Sequence, residues 1–175
     1  METIVLGSSF FQREVLEVAL NLIGKIIVRR FENGEIKRYR IIETEAYRGE
    51  EDLACHASKG RTRRTEVMYH RGGKVYVYLI YGMYWMLNLV TGEPDNPCAV
   101  LIRGVEGFIG PGKVGRELCL DKTFYGEDVT LSNRIWIESD GNKPAFLISN
   151  RIGVLYAGLM WAEKPWRFIA KGNES

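Results

Sequence analysis

From Ser8 to Ile23 apolar residues return at helical spacing, with Val15, Ala19 and Leu22 beside Leu16, Leu20 and Ile23. The pattern predicts an amphipathic helix capped by Ser8 or Ser9 and ended by Gly24. IIVRRF and IKRYRIIETEAY then flank ENGE, where Asn33-Gly34 predicts a two-residue hairpin turn, both of whose positions need positive φ. The second of these strands runs towards Glu45 and sets that carboxylate near a strand end. Residues 48–73 are polar and rich in Gly and Arg, which predicts a long functional loop in which Asp52 or a neighbour caps a short helical turn.

Downstream, KVYVYLIYGMYWMLNLV (74–90) predicts an aromatic strand, TGEPDNP a loop and CAVLIRG another strand. GPGKVGRELCL begins with breakers and then allows a short helix. RIWIES, AFLISN, RIGVLYAG and WRFIAKG predict further strands. Repeats and linker-like stretches are absent from the sequence. The expectation is one α+β domain over residues 1–175, a mostly antiparallel, curled β-sheet with a few surrounding helices.

Composition changes this picture little. The chain has 175 residues, 46% hydrophobic and 26% charged, enough for one domain with a real core. Its three cysteines form no CxxC pair, which argues against a disulfide scaffold or zinc ribbon and fits a reducing compartment. The N-terminus has no basic stretch before an apolar block, so no signal peptide is expected. The longest apolar run, interrupted by Gly, Asn and several Tyr, falls short of a membrane span.

Charge is informative through its distribution. The net value is only +2, yet Lys59, Arg61, Arg63, Arg64, Arg71 and Lys74 face a single acid, Glu66, over one stretch. Such a run is usually a solvated face. Its place between an acidic strand and an aromatic one makes a phosphate-binding rim the sharper alternative.

The familiar catalytic signatures are missing. GPGKV lacks the spacing of a nucleotide-binding P-loop, and neither His56 nor His70 sits in a zinc motif. That leaves IIETEAY. In a regular strand Tyr39, Ile41, Glu43, Glu45 and Tyr47 share one face. Two acids there belong either to a solvated edge strand or to a general base beside an apolar pocket, with Arg103 of AVLIRG as partner. The pattern alone does not choose between Glu43 and Glu45. The crowded tyrosines of 74–90 have the same two readings, cross-strand packing or a surface on which flat bases stack.

ETEAY, ACH, RRTEVMY, VYVYLIYGMYWMLN, AVLIR and RIGVLYAG…KPWRF, in that order, resemble the alkyladenine (3-methyladenine) DNA glycosylase family from the first helix to about position 172. The resemblance implies a monofunctional glycosylase without a cofactor or metal. It would act as a monomer on double-stranded DNA containing damaged purines, away from membranes, in the cytoplasm at the nucleoid or in a nucleus. It implies that Glu45 is the general base and that Arg103 helps to hold the attacking water. Tyr47 and His56 would stack on one side of the flipped base and Tyr78 on the other, with Ala54 beside His56 and Asn88 crowding the purine 2-position. Tyr81 would fill the gap left in the duplex, with Met83 and Tyr84 beside it in the minor groove. Arg61, Arg63, Arg64, Lys113 and Lys122 are the expected phosphate contacts. Tyr76 is expected to be packing, and Trp85 is equally readable as core or surface.

The chain departs from the family pattern in two places. The helix after GPGK reads Val-Gly-Arg-Glu-Leu where the family has Leu followed by a small-polar-Gln-Ala-Leu pattern, and Ala57 follows the pocket histidine where Ser is common.

Overall fold

The longest strand organises the rest. A computed structural model describes residues 2–174, and among these ten strands, all paired antiparallel, and four short helices form an α+β domain. The strands are β1 (Ile4–Val5), β2 (Ile26–Arg30), β3 (Ile36–Arg48), β4 (Val75–Ile80), β5 (Tyr84–Thr91), β6 (Cys98–Val105), β7 (Phe108–Ile109), β8 (Ile135–Ser139), β9 (Phe146–Ser149) and β10 (Arg167–Ala170). The helices are α1 (Ser8–Phe11), α2 (Val15–Leu22), α3 (Pro111–Glu117) and α4 (Leu159–Ala162). Along the sheet the order is β1-β8-β2-β3-β6-β5-β4, with β7 beside β6 and with β10 and β9 branching from β3. β3 therefore pairs with β2 along its first half and lies between β6 and β10 in its second. No helix among the described residues is long and apolar enough to cross a membrane.

Alternation along the strands divides the sheet into two faces. Val75 and Val77 of β4, Leu87 and Leu89 of β5, and Val100 and Ile102 of β6 enter the main core. α2 contributes Val15, Val18, Ala19 and Leu22 to that core, and α3 contributes Val114. Burying each Val or Leu removes enough apolar surface to contribute about 1.5–3 kcal/mol. The intervening residues Tyr76, Tyr78, Val90 and Ala99 form a second cluster with the 49–73 loop. The tyrosine run is thus a valine strand on one face and a phenol strand on the other.

Two offset bulges adjust this alternation on β3. Ile41 pairs with Val105 and Glu43 with Gly104, so Ile42 is extra; Thr44 then pairs with Ile102, so Arg103 is extra on β6. A one-residue insertion exchanges the faces of everything beyond it. Before the bulge Tyr39 and Ile41 enter the main core; after it Ile42 and Ala46 do, and Thr44 Oγ1 donates to Ala19 O on α2. Tyr39 and Ile41 therefore do not share a face with Glu43, Glu45 and Tyr47, contrary to the regular-strand expectation. Glu45 lies three residues before the end of β3, near a strand end as expected, and the edge-strand alternative fails because β6 and β10 flank both acids.

Other local expectations need correction. The 8–23 segment is two helices, because Phe11 O accepts from Gly92 N at 2.8 Å and the Glu14 carboxylate caps a new helix at Leu16 N and Glu17 N. Gly7, not Ser8 or Ser9, is the N-cap of α1. The β2–β3 connection is a three-residue loop, Glu32-Asn33-Gly34, in which Phe31 N donates to Glu35 O and only Gly34 takes a positive φ, +87°. RIGVLYAG is not a strand: it forms loop and a single 3-10 turn at Leu155–Ala157. Its Arg151 is drawn inward to Asp52 instead of alternating along a sheet.

Trp85 packs against the main core. Within the divergent α3, one residue has a clear packing role. A Cβ on Gly115 would come within 1.8 Å of Trp85 O, so only glycine lets the helix lie this close to β5.

Candidate active site

Glu45 is completely buried on the second face of β3. Its Oε1 accepts from the Tyr47 hydroxyl at 2.9 Å and from Arg103 Nη1 at 3.5 Å, and its Oε2 accepts from Ile152 N at 2.6 Å. Burial raises its pKa above the ordinary carboxylate value; Arg103, the Ile152 amide and the Tyr47 hydroxyl oppose that rise, and nearby Glu43 adds to it. The result is a carboxylate more basic than one in water, held by three donors.

Glu43, two residues earlier, is in a different position. Its Oε1 accepts from both Arg103 Nε and Arg167 Nη1, each at 3.1 Å. Glu43 is thus committed to two cations, which distinguishes the two acids that the sequence pattern left equivalent.

The cleft in front of these groups has a volume of about 810 Å³; its lining includes Tyr47, His56, Arg64, Tyr78, Tyr81 and Arg103. Adjoining it is a smaller recess of about 40 Å³, bounded in part by Ala54, Tyr76, Asn88 and Tyr156. Tyr47, His56, Tyr78 and Tyr156 border both spaces. The His56 and Tyr78 rings meet edge to face at 4.5 Å. His56 Nδ1 shares a 2.7 Å hydrogen bond with the Tyr76 hydroxyl, so Tyr76 orients the histidine as well as packing. Burial, then Arg64 and Lys59, lower the His56 pKa to about 4, which leaves the imidazole neutral at physiological pH. Burial raises the Tyr78 phenol to about 12.

At the cleft mouth β4 and β5 join through Tyr81-Gly82-Met83. Tyr81 is 88% exposed and has a φ of +54°, a conformation that a bulky residue rarely adopts. Met83 is exposed beside it. Tyr84 instead lies against α3, where a Cβ on Gly112 would touch its ring at 3.1 Å.

The basic residues have separate environments. Arg64 lines the cleft, with its guanidinium 5.3 Å from the Tyr78 ring centre. Arg61 is held by Glu66 at 2.7 Å and Asp95 at 3.1 Å, over the Tyr69 ring. Arg63 is exposed on the same loop, and Lys113 and Lys122 are exposed on α3 and on the turn Lys122–Phe124.

Three site features escaped the sequence reading. Arg151 and Asp52 form a fully buried, two-bond ion pair, with Nη1–Oδ2 at 2.6 Å and Nη2–Oδ1 at 3.0 Å, and Arg151 lies 4.9 Å from the Tyr47 ring centre. Asp52 also accepts from Ala54 N, which ties the loop carrying Ala54 and His56 to the site. Tyr156 donates to Ala54 O at 2.8 Å, and Arg167 reaches Glu43. The signal available for Arg151 and Arg167 was a basic residue at each end of the late apolar segment, which a strand pattern conceals.

The model of the methylpurine-DNA glycosylase (MPG) family matches residues 9–110 and 107–174. Curated relatives named "Putative 3-methyladenine DNA glycosylase" include one from Psychrobacter cryohalolentis, 43% identical over 92% of this chain and 93% of its own length. Another, from Methanocella arvoryzae, is 42% identical over 97% of this chain and 94% of its own. A third, from Natranaerobius thermophilus, is 38% identical over 96% of each.

Proposed function

The chain belongs to the methylpurine-DNA glycosylase family, and from that premise we propose that it flips damaged purines out of duplex DNA and hydrolyses their N-glycosidic bond with a water activated by Glu45. Family membership makes it a DNA glycosylase of repair, a hydrolase. The observation that carries the finer reading is the contrast between the two acids: Glu45 is buried, raised in pKa and beside the cleft, whereas Glu43 is held by two arginines.

In this reading Tyr81, at the exposed tip, replaces the extruded nucleotide in the base stack, and Met83 lies beside it in the minor groove. The flipped purine enters between Tyr47 with His56 and Tyr78, towards Ala54 and Asn88, and the 4.5 Å contact of the His56 and Tyr78 rings opens to admit it. Arg63, Arg64, Lys113 and Lys122 contact phosphates. Glu45 takes a proton from water as oxygen bonds to C1′ of the sugar, and the C1′–N9 electron pair leaves with the purine. The transition state has oxocarbenium character, which the Glu45 charge stabilises. The products are an abasic site and free base.

Substrate choice follows from the leaving group. 3-Methyladenine and 7-methylguanine are cationic, favoured over aromatic faces, and leave without a strong general acid. One carboxylate then serves where most glycoside hydrolases use two. Hypoxanthine and ethenoadenine are neutral, need a proton to leave and react more slowly.

The test is single-turnover excision by Glu45→Gln from duplexes carrying each lesion. The variant is expected to lose at least roughly 10²-fold in rate while still binding lesion DNA. A base works only when ionised, so the wild-type rate should rise with pH through the Glu45 pKa, above the ordinary carboxylate range, and the variant should lose that rise. Turnover like wild type in Glu45→Gln refutes the assignment.

A further inference from the structure

Arg103 is the extra residue of its bulge, so the β-ladder does not fix where its side chain points. Side chains fix it instead. Its Nε donates to Glu43 Oε1, and the same oxygen receives Arg167 Nη1 from β10. Arg167 is anchored in turn, with Nε on Asn150 O at 2.7 Å and Nη2 on Ser149 Oγ at 3.2 Å. The chain of contacts runs from the end of β9 through Arg167, Glu43 and Arg103 to Glu45. Its last link, 3.5 Å, is longer than the others. A guanidinium held this way from behind can turn one nitrogen to the base while it lines the cleft.

We propose that Arg167 and Glu43 are positioning residues for the glycosylase reaction, aiming Arg103 at Glu45 across the paired bulges. The proposal rests on Glu45 being the base. The four charges, two acids and two arginines, balance to zero. The other groups near Glu45 are the hydroxyls of Tyr47, Tyr78 and Tyr156 from β3, β4 and the late loop, with the Asp52–Arg151 pair adjoining Tyr47. Burial raises the phenols of Tyr47, Tyr78 and Tyr156 and lowers neighbouring His56 to about 4, so these four stay neutral at neutral pH. Removing Arg167 leaves an excess negative charge beside Glu45 and disfavours its ionised form. Removing Glu43 has the opposite sign, although Arg103 then loses its anchor.

The experiment is the pH profile of single-turnover hypoxanthine excision for the full chain and for Arg167→Gln, Arg167→Lys, Glu43→Gln and Glu45→Gln, with thermal melting of each. Arg167→Gln should move the rising limb to higher pH and Glu43→Gln to lower pH. Both should lower the plateau by up to about 10²-fold, the scale of a misplacement near 1 Å. Arg167→Lys should restore the limb at least partly even if Arg167→Gln folds poorly. A limb that disappears in Glu45→Gln but stays fixed in the Arg167 and Glu43 variants overturns the proposal alone. A limb that persists in Glu45→Gln overturns it together with the base assignment.

Discussion

Tyr81→Gly is expected to leave the domain as stable as before, or more stable, while weakening excision. The side chain is 88% exposed, so removing it forfeits little packing. Its backbone, at φ +54°, costs a non-glycine residue about 1–2 kcal/mol. Glycine relieves that strain and returns roughly 0.5–1 kcal/mol of unfolded-state entropy, for a net gain between about 0 and 1.5 kcal/mol. The functional effect has the opposite sign. An aromatic ring stacked in the duplex contributes about 1–3 kcal/mol, and its loss lowers the flipped population roughly 5- to 150-fold. The assay pairs thermal melting with single-turnover excision of hypoxanthine from a stable pair, a mismatch and a single strand. The defect should shrink along that series, because a weakly paired base costs less to extrude. A defect equal on all three substrates, or a melting point that falls by several degrees, refutes the wedge and makes Tyr81 a folding or pocket residue.

Two other substitutions probe the surroundings. Arg64→Ala should weaken binding to damaged and undamaged duplex alike and flatten the log-salt slope by about one unit, whereas Arg61→Ala, whose charge is already matched by Glu66 and Asp95, should change that slope less; equal slopes for both variants and wild type would remove the loop from the DNA contact. Asp52→Ala leaves Arg151 buried without its partner and should cost about 3–5 kcal/mol in denaturant unfolding, and a loss under 1 kcal/mol would mean that water reaches the pair.

The sequence made some of this legible and concealed the rest for identifiable reasons. α2, the β2–β3 pairing, the aromatic strand and β6 follow from short-range periodicity, which survives into the structure because each element packs on one face. The motif positions Tyr47, His56, Tyr78, Tyr81 and Arg103 fall around one cleft. The paired bulges were not legible, since Ile42 and Arg103 are extra only relative to a partner strand, and that relation is tertiary. This is why Glu43 and Glu45 looked interchangeable. The hairpin misled because Asn-Gly also suits a longer loop in which glycine alone takes the left-handed conformation. RIGVLYAG misled because it alternates like a strand, yet its Arg151 turns inward to a two-bond pair with Asp52, a tertiary contact that local alternation does not encode.

The place of β3 between two neighbouring strands has a consequence for exchange with solvent. Amides around Glu45 are bonded into both β6 and β10, so they open to deuterium only when much of the sheet does, near the free energy of global unfolding. The 81–83 tip is bonded on one side by a single hairpin and should exchange quickly. The Glu45 carboxylate therefore inherits the lifetime of the whole fold, while the exposed 81–83 tip can rearrange many times within that lifetime.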